Sequence, residues 1–578
     1  MSQLKKLKET SDRNELAALL GFKPSALTSI IYQTPLENRY TIFEIDKKSG
    51  GKRIIKAPTP KLKKLQTHLS HLLYQCLDEI ERERGEKPLS FGFRRDLWIA
   101  DNAACHKGRR WVLNLDLKDF FPSFNFGRVR GFFLKDKFFK LQPQVATTIA
   151  QIACDGVALP QGSPCSPVVS ELIARILDMR LVWLAKKYRV TYTRYADDIT
   201  FSTSQKDFPA GVAFRDVQDT ALWILSDELL TKITGCGFEV NPEKTRMQFR
   251  GSRQSVTGLT VNKKVNVSSE YYRRARAMCD SLFSTGSYFR SMEKPDKEGG
   301  DSKPNLTNSL NPLEGILGHI YAVTQTEDRR DVGEQRIKPR AIRKLYRRFL
   351  FYKYFVALDV PLIVTEGKTD PVYLRAAVQS RTRFHPILGE AKGGSFIHAV
   401  HYFNYGGLSH EVLDLGGGGV GNLKSIPLDY RRNFLPKKDE HRAMAHKSMA
   451  YPVILVLDND TGLGPVASTM KENFGVSFSV TSTASFYHIT DNLYVVKTPE
   501  TVGKSCIEDL LPKEWLEKEL NGKRFNPKPD ITKQYGKEVL ANSVIKPNAS
   551  QIDFSRFDPL LDRIVAVMVD YASKKSAH

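Results

Sequence analysis

The spacing of apolar positions changes along the N-terminal part of the chain, and each change predicts a different element. Residues 1–30 and 61–83 place Leu and other apolar side chains at helical spacing. Residues 41–58 alternate apolar and polar positions on both sides of a Gly-containing turn at 48–51, which predicts a β-hairpin.

The middle of the chain reads as strands and helices in alternation. WVLNLD (111–116) is a short apolar strand, and a long helical pattern follows Pro167. TYTRY (191–195) and ITFS (199–202) predict two strands around a tight acidic turn. Residues 216–234 are expected to be helical again.

The second half of the chain opens on a change of composition. VTGLTVN (256–262) predicts a strand, and the polar, Pro- and Gly-rich stretch 291–312 predicts a loop or linker. Basic helices are expected at 338–355. A strand leading into a helix is expected at 361–370, and another strand at 453–460. Strands alternating with helices predict a parallel sheet in this C-terminal part.

The charge is unevenly distributed. The 578 residues include 87 Lys and Arg against 64 Asp and Glu, a net charge of +23. Residues 361–578 hold 27 basic and 24 acidic side chains, which leaves +20 for residues 1–360. Binding of a polyanion is the usual reason for such an excess. A merely basic soluble protein has the same composition, so charge alone leaves both readings open.

The spacing of the seven cysteines and the lengths of the apolar runs indicate the cellular compartment. No pair of cysteines has C-x2-C spacing, so a zinc ribbon is not expected, and a scattered odd set fits a reducing cytosol. The N-terminus lacks the apolar core of a signal peptide, and no apolar run reaches the length of a membrane span. The sequence therefore predicts a cytoplasmic protein with no membrane association.

An acidic pair lies between two predicted strands. Asp197 and Asp198 follow Tyr195-Ala196, and two adjacent carboxylates repel each other unless a divalent cation takes their oxygens as ligands. Acidic pairs are also common at exposed turns, so a second site matters. Asp116 ends the strand WVLNLD, and carboxylates at neighbouring strand ends could share a pair of metal ions that drives phosphoryl transfer.

At these residues the sequence resembles the reverse transcriptases. LNLDLKDFF (113–121) is similar to the first palm motif, LPQGSPCSP (159–167) to the motif that holds template and nucleotide, and YADD to the signature turn. GFEVNPEKT (237–245) resembles the motif that follows. Four motifs in order make a chance match negligible.

The resemblance implies roles for individual residues. Asp116, Asp197 and Asp198 would be catalytic and would bind two Mg²⁺ ions. Phe121 would be the steric gate that makes deoxynucleotides the substrate. Five further residues are expected to contact the nucleotide or its phosphates, and an ordinary solvated turn is nearly as good a reading of the last two: Gln161, Gly162, Lys244, Lys52 and Arg53.

Two further motifs resemble the retron enzymes. Asn102-Ala103-Ala104-Cys105-His106 matches an N-A-x-x-H signature, and Val256-Thr257-Gly258 matches a V-T-G signature. The resemblance covers roughly residues 1–355 and implies fingers, palm and a helical thumb. It also implies a partner non-coding RNA (msr-msd), part of which is copied into branched msDNA primed from a 2′-OH. Asn102, His106 and the V-T-G residues would bind that RNA, although His106 could equally be a structural histidine.

A second set of acids lies in the C-terminal part. Glu366 and Asp370 follow the strand PLIVT, and Asp458 and Asp460 follow VILVL. Gly367-Lys368-Thr369 imitates the end of a P-loop, but the earlier glycine that a P-loop needs is Leu362, so nucleoside triphosphate binding is rejected. In D-x-D on an extended chain both carboxylates can face one ion.

This second set resembles the Toprim domain of topoisomerases, DnaG-type primases and OLD-family nucleases. The resemblance implies Glu366 as acid/base and Asp370, Asp458 and Asp460 as ligands of one or two Mg²⁺ ions. Three more residues are candidate additions to that site: Lys504, Glu508 and Asp509. An insertion with a glycine run at 416–419 would explain the long spacing between the motifs. An ordinary turn and a helix cap are the alternative readings, but two such motifs, each directly after a strand, favour the Toprim interpretation.

The expected fold class is an α+β right-hand polymerase followed by an α/β Toprim domain with a parallel sheet. Fingers and palm would occupy 1–265, a thumb with the polar insertion 266–355, and the Toprim effector 356–578. The expected function is a retron reverse transcriptase with a fused nuclease that cuts a nucleic-acid target in anti-phage defence. It would use dNTPs and could form a homo-oligomer. A non-catalytic Toprim scaffold and another class of bacterial reverse transcriptase are the alternatives.

Overall fold

The chain packs as two units in a computed structural model. The first unit contains Met1–Ser268 and Val323–Asp328, and the second contains Ser269–Ala322 and Arg329–His578. The predicted domain boundaries remain predictions, because this division follows packing alone. The structure describes residues 2–46, 50–85, 88–219, 222–290, 306–416, 420–435, 443–500, 504–530 and 533–576.

The first unit is helical at its N-terminus and mixed thereafter. Its helices are α1 Gln3–Glu9, α2 Arg13–Leu19, α3 Pro24–Thr28, α4 Pro60–Arg84, α5 Ile99–Ala104, α6 Phe126–Lys135, α7 Pro143–Ala153, α8 Ser166–Lys187 and α9 Asp227–Thr234. Its strands are β1 Tyr40–Asp46, β2 Lys52–Pro58, β3 Trp111–Asp116, β4 Thr191–Tyr195, β5 Asp198–Thr203, β6 Ala213–Arg215, β7 Trp223–Leu225, β8 Arg246–Phe249, β9 Ser255–Val256 and β10 Leu259–Thr260.

A four-stranded antiparallel sheet in the order β4-β5-β3-β8 forms the centre of this unit. Its central strands β3 and β5 are almost wholly buried, which is why both read as apolar runs. α8 and α4 bury Leu177 and Leu73 in the same core. The end of β3 and the start of β5 meet at one end of this sheet.

Two predictions for this unit need correction. Residues 216–234 are not one helix, because Trp223–Leu225 pairs with Ala213–Arg215 as a small hairpin and the helix begins only at Asp227, capped by Ser226. VTGLTVN is not one strand, because Thr257 and Gly258 both have positive φ angles (47° and 82°) and turn β9 back onto β10. Positive φ at two central residues is the requirement of a tight hairpin turn.

The second unit begins with helices and continues into an α/β layer. Its helices are α10 Ser269–Thr285, α11 Asn311–Gln325, α12 Val332–Ile337, α13 Ala341–Phe351, α14 Asp370–Ser380, α15 His385–Leu388, α16 Leu408–Val412, α17 Val420–Leu423, α18 Ser425–Phe434, α19 Leu463–Phe474, α20 Lys513–Leu516, α21 Lys537–Val539 and α22 Asp558–Ser576. Its strands are β11 Tyr288–Phe289, β12 Leu306–Thr307, β13 Leu362–Thr365, β14 Gly389–Lys392, β15 Ser395–His398, β16 His401–Tyr402, β17 Val453–Leu457, β18 Tyr487–Thr490, β19 Leu493–Lys497, β20 Arg524–Phe525 and β21 Gln534–Tyr535.

A five-stranded sheet organises the C-terminal part of the second unit, in the order β16-β13-β17-β19-β18. The first four strands run parallel and β18 closes one edge antiparallel. β13, β17 and β19 are buried along their whole length, as expected for parallel strands covered on both faces. The predicted parallel sheet is therefore present, and the carboxyl ends of β13 and β17 meet at one edge.

The basic helix α13 is held within the second unit by acidic partners. Arg347 lies 2.9 Å from Asp429, and Arg343 lies 2.8 Å from Asp414, which Arg347 also contacts. Arg343 and Arg347 of this predicted thumb helix are therefore already neutralised by protein. Most of the polar insertion at 291–312 and the glycines 417–419 lie outside the described residues. Within the described ranges, no helix is both long and apolar enough to cross a membrane.

Candidate active site

Two strand ends bring the first acidic set together. Asp116 is the last residue of β3 and lies opposite Asp198, the first residue of β5. Ala196 has a positive φ of 55°, which turns the chain tightly between β4 and β5, and Leu117 donates from its N–H to the carbonyl of Asp197 at 3.0 Å. The antiparallel register thus places Asp116, Asp197 and Asp198 at one end of the sheet, as the sequence predicts.

The carboxylates of this set repel one another inside a partly dry site. Burial and the charges of Asp197 and Asp116 raise the pKa of Asp198 to about 7. Burial and Asp116 also raise the pKa of Asp197, whereas the cations Lys244 and Arg53 lower it in part. The pKa values of Asp197 and Asp198 stay raised because the nearby cations only partly balance the negative charge of this buried site.

Lys244 supplies part of the missing positive charge. Its ammonium lies 2.9 and 2.8 Å from the two oxygens of Asp116, and this hydrogen bonding raises the pKa of Lys244. Lys244 was expected near the incoming phosphates and here neutralises a carboxylate instead. A lysine that can release Asp116 to a cation would then be free to meet a phosphate.

A buried arginine under the turn was missed by the sequence reading. Arg194 is wholly buried and is ion-paired with Glu171 at 2.8 Å and with Asp178 at 2.7 Å. It also donates to the carbonyl of Ala196 at 3.0 Å. Arg194 therefore fixes the acidic turn from below. The signal was present in the motif, since an arginine in an apolar strand must find buried acids.

Gly92 was also missed, and it allows the closest backbone approach at the turn. A Cβ on Gly92 would lie 2.4 Å from the N atom of Ala196 and 3.0 Å from the carbonyl carbon of Tyr195. The flanking Phe91 donates to the carbonyl of Arg194 at 2.8 Å, which holds this segment beside β4. Only glycine fits at position 92 without moving the turn.

Phe121, Gln161 and Gly162 are predicted nucleotide-contacting residues that follow β3 along the chain. Phe121 is half-buried, with its ring 5.8 Å from Phe93. Gln161 accepts the N–H of Lys56 at 2.8 Å, and a Cβ on Gly162 would lie 2.8 Å from the Lys56 carbonyl oxygen. The 159–167 loop and the β1–β2 hairpin therefore pack together.

The two basic residues of that hairpin differ. Lys52 is exposed and pairs with Glu44 at 2.6 Å across the hairpin, which fits an ordinary solvated ion pair. Arg53 is exposed too, yet its charge lowers the pKa of Asp197, so it faces the acidic site. Of these two, Arg53 is placed to influence a phosphate near the acids.

Asn102 and His106 lie inside the sheet layer rather than on its surface. Both nitrogens of His106 contact hydroxyls at 2.7 Å, Nδ1 with Ser202 and Nε2 with Thr193, and Thr193 donates to Asn102. Burial lowers the pKa of His106 to about 3, so the ring is neutral. Neither side chain offers a surface for direct RNA contact here; together they tie helix α5 to strands β4 and β5.

The V-T-G residues lie beside the acidic site. Val256 is buried, and Thr257 donates its hydroxyl to the carbonyl of Ile99 at 3.2 Å. A cavity of about 230 Å³ extends from Asp116 and Asp198 to the turn of Thr257 and Gly258. This turn is therefore a wall of the cavity that contains the acids.

The second acidic set also gathers at strand ends. Asp458 donates its backbone N–H to Glu366 at 3.3 Å, and the N–H of Ile507 donates to the carboxylate of Asp458 at 2.9 Å. Burial and the charges of Asp370, Glu366 and Glu508 raise the pKa of Asp458 to about 8. Burial and Glu508 raise the pKa of Asp370 to about 6. Glu366, Asp370, Asp458 and Glu508 therefore form one electrostatic cluster.

The other candidates of that region are placed differently. Asp460 accepts the N–H of Gly462 at 2.7 Å and so closes its own loop. Asp509 is exposed and caps the turn at Cys506, and Lys504 is exposed. Lys537, which sequence reasoning missed, lies 2.9 Å from Glu508. The structure thus adds a cation to the cluster.

Both clusters suit a hard cation by donor chemistry, but not in the present arrangement. Among the described residues, no three His, Cys, Asp or Glu side chains are disposed so as to hold a metal ion. Carboxylate oxygens are nevertheless the ligands that Mg²⁺ prefers. Burial and, after it, repulsion by neighbouring carboxylates raise the pKa values of Asp198 and Asp458, and a bound cation would offset both effects. Small side-chain movements would be needed for binding.

Known proteins resemble the first unit. The model of the family described as reverse transcriptase (RNA-dependent DNA polymerase) matches residues 45–265. The chain is 37% identical over 284 residues to the retron Mx65 reverse transcriptase of Myxococcus xanthus, covering 46% of this chain and 61% of that one. It is 34% identical over 248 residues to the retron Ec86 reverse transcriptase of Escherichia coli, covering 42% of this chain and 70% of that one.

Structural likeness is weaker. An apo telomerase from Candida tropicalis truncated from its C-terminal domain is 15% identical, with a TM-score of 0.27, covering 43% of this chain and 61% of that one. A TM-score of 0.27 is too low to assign a fold. The family match confirms the polymerase part of the expected fold class; the Toprim part stays a prediction. The chain spans about three fifths of the length of the Myxococcus relative.

Proposed function

Because this chain belongs to the retron reverse transcriptases, we propose that it is an RNA-directed DNA polymerase that copies part of a partner non-coding RNA into msDNA. The observation that carries the proposal is the convergence of Asp116, Asp197 and Asp198 at one end of the palm sheet. Family membership also favours a retron enzyme over the other bacterial classes considered.

Each residue has a task that follows from its position. Asp116, Asp197 and Asp198 would hold Mg²⁺, which supplies Lewis acidity and charge neutralisation for attack of a primer hydroxyl on the α-phosphate. Phe121 would stand against the sugar and exclude a 2′-OH. Phosphoryl transfer needs positioning above all, so the rigid support under the turn is part of the machinery.

The expected transfer conserves atoms and charge. The primer hydroxyl gives up its proton to solvent water, its oxygen bonds to the α-phosphorus, and the bond from phosphorus to the bridging oxygen breaks, so that pyrophosphate leaves with the electron pair. Lys244, now on Asp116, would meet the phosphates of the leaving group once a cation takes its place. Arg53, which faces the acidic site, would add positive charge on the fingers side.

The direct test uses the full chain with its RNA. Nucleic acid that co-purifies should contain DNA joined to RNA by a branch, and extension from dNTPs should stop in the Asp197→Asn, Asp198→Asn double variant. Continued synthesis by the double variant, with intact protein, would refute the polymerase assignment. An unbranched product would support the polymerase assignment but contradict priming from a 2′-OH of the RNA.

For the C-terminal part of the second unit, residues 356–578, we propose a Toprim-type nuclease effector. Support comes from the parallel sheet, from Glu366 at the end of β13 and from Asp458 at the end of β17, with Asp370 and Glu508 in the same cluster. Bound Mg²⁺ would activate water for phosphodiester cleavage. In this proposal msDNA restrains the effector until phage infection disturbs the assembly.

The competing proposal is that residues 356–578 are a non-catalytic Toprim scaffold that only binds nucleic acid. The raised pKa of Asp458 favours catalysis or cation binding, because a scaffold has no use for buried, mutually repelling acids. Glu366→Ala should abolish effector toxicity in cells while msDNA still accumulates. Toxicity that persists in this variant would favour another site or the scaffold.

A further inference from the structure

A buried lysine ends the strand β19. The side chain of Lys497 is 0% exposed, and the parallel register places Lys497 opposite Leu457, the last residue of β17. Asp458 follows Leu457 directly along the chain. A lysine is almost never fully buried unless its charge is paired or its N–H groups are hydrogen-bonded. Lys497 therefore lies next to the strand end at which the acidic loop begins, and protein atoms must stabilise its charge.

The ammonium group of Lys497 joins three segments of the chain. Nζ donates to the side-chain oxygen of Asn459 at 3.0 Å and to the main-chain carbonyls of Ser479 and Ser482, both at 2.7 Å. These three acceptors match the three N–H donors of an ammonium group. The carboxylate of Glu500 lies 3.3 Å away. Lys497 thereby connects β19 to the loop after β17 and to the turn at 479–482.

Asn459 is the partner of Lys497 that lies within the acidic loop, between Asp458 and Asp460. Neighbouring residues of an extended chain point to opposite sides, and Asn459 is fully buried. The amide of Asn459 is held at both ends, because Oδ1 accepts from Lys497 and Nδ2 donates to the carbonyl of Val480 at 3.1 Å. Rotation of this side chain would break both hydrogen bonds.

The main chain of Asn459 is fixed as well. It exchanges two hydrogen bonds with Ser505, at 2.9 and 3.0 Å, and its N–H lies 2.9 Å from the hydroxyl oxygen of Thr498. Asp458 and Asp460 are therefore attached on either side of a residue whose main chain and side chain are both hydrogen-bonded. Carboxylates that repel one another need such support if they are to share a cation.

We propose that Lys497 is a positioning residue of the C-terminal acidic cluster, and that through Asn459 it holds Asp458 and Asp460 where their carboxylates can bind one divalent cation. The inference rests on the proposed function of residues 356–578, because that function supplies the cation. Lys497 acts on the two acids through the amide of Asn459 and takes no part in bond breaking.

Neutralisation of Glu500 is a weaker explanation for the buried lysine. The guanidinium of Arg563 lies 2.6 Å from Glu500, closer than Lys497 at 3.3 Å. Arg563 also donates to the main-chain carbonyl of Lys497 at 2.9 Å and so supports the same end of β19. Arg563 is the matched control, since its loss should weaken this strand end and leave the hydrogen bond between Lys497 and Asn459 in place.

The test measures the affinity of the full chain for Mn²⁺ by electron paramagnetic resonance, with Asp197→Asn and Asp198→Asn present to disable the polymerase site. Mn²⁺ takes the same oxygen ligands as Mg²⁺, and the binding counted is that which Asp458→Asn removes. Lys497→Met should weaken this binding by about 10- to 100-fold, the usual cost of losing the support of a ligand. Arg563→Met should lower the melting temperature and leave the affinity unchanged.

A second variant keeps the proposal testable if Lys497→Met does not fold. Asn459→Ala removes the same hydrogen bond from its other side and should weaken Mn²⁺ binding to a similar extent. The double variant Lys497→Met, Asn459→Ala should bind no more weakly than the weaker of the two single variants, because both changes remove one contact. A lysine that only stabilises the fold would give losses that add.

Three results would overturn the proposal and leave the proposed function standing. One is unchanged Mn²⁺ affinity in Asn459→Ala or in folded Lys497→Met. Another is losses that add in the double variant. A third is an equal loss of affinity in Arg563→Met. If the chain shows no Mn²⁺ binding that Asp458→Asn removes, the cation site of the proposed function fails as well, and the role of Lys497 falls with it.

Discussion

Arg194 donates a hydrogen bond to the main-chain carbonyl of Ala196 across 3.0 Å, from a position where its side chain has no exposure to solvent. The same guanidinium is ion-paired with both Glu171 and Asp178. One buried cation therefore connects helix α8 to the turn that carries Asp197 and Asp198. Contacts with the buried core therefore hold the tip of the hairpin in place.

Replacing Arg194 should show how strongly the stability of the first unit depends on that cation. Arg194→Met leaves two buried carboxylates without their partner and should lower the free energy of unfolding of the first unit by about 3–5 kcal/mol. Arg194→Lys keeps the charge but loses the forked geometry and should cost less. Urea unfolding followed by circular dichroism measures both; equal stability of Arg194→Met and the parent would contradict the assignment.

Gly92→Ala should damage catalysis more than stability. The added methyl group lies 2.4 Å from the N atom of Ala196, so the turn must shift to accommodate it. A displacement of about 1 Å at the reacting centre costs roughly 100-fold in rate. The matched control is Gly131→Ala in helix α6, where a Cβ meets no atom within 4 Å. The measurement is the primer-extension rate of each variant, normalised to the amount of folded protein. Similar rates for Gly92→Ala and Gly131→Ala would contradict the prediction.

Asp198 should make stability depend on pH and on Mg²⁺. Its pKa rises from 3.8 to about 7 in the folded chain, so the ionised form is disfavoured there. Folding stability from this group is therefore greatest at low pH and declines as pH rises from about 4 to about 7. At pH 8, Asp198→Asn should raise the melting temperature by about 2 °C or more.

Added Mg²⁺ should raise the melting temperature of the parent more than that of Asp198→Asn. Thermal scans at pH 5.5 and 8 supply the measurement. If the Asp198→Asn gain is equal at both pH values, repulsion at this site is not its cause.

Cation binding in the second unit should strengthen with pH. The pKa of Asp458 is raised to about 8, and a protonated carboxyl must lose its proton before it can bind a metal. Affinity for Mg²⁺ should therefore rise by up to about tenfold per pH unit below pH 8. Calorimetry in the Asp197→Asn, Asp198→Asn background isolates this site. Asp458→Asn should remove the binding, and an unaltered isotherm would remove Asp458 from it.

Phe121→Ala should admit ribonucleotides. Phe121 is half-buried and supported by the ring of Phe120, whose centroid lies 5.5 Å away. Loss of the ring should raise incorporation of ribonucleotides relative to deoxynucleotides by about tenfold or more, because only steric bulk rejects the extra hydroxyl. Single-nucleotide extension assays measure the ratio. An unchanged ratio would assign discrimination to another residue.

Local patterns in the sequence predicted several of the elements that carry the two acidic sets. WVLNLD was expected as a strand over 111–116, and the structure has the strand at the same residues. The 216–234 helix failed because the first part of that segment pairs as a hairpin strand, a tertiary contact that periodicity does not encode. The V-T-G strand failed because positive φ at Thr257 is visible only in the backbone.

The chain by itself determined which chemistry is available: carboxylates at strand ends, in an order that resembles a polymerase, on a segment with a large positive charge. The three-dimensional structure decided which groups meet. It moved His106 into the core, brought Lys244 onto Asp116, and placed Arg194 under the acidic turn. Sequence spacing reports neighbours along one element, whereas packing sets burial and distance between elements, and these two quantities govern the pKa values and ion pairs of a site.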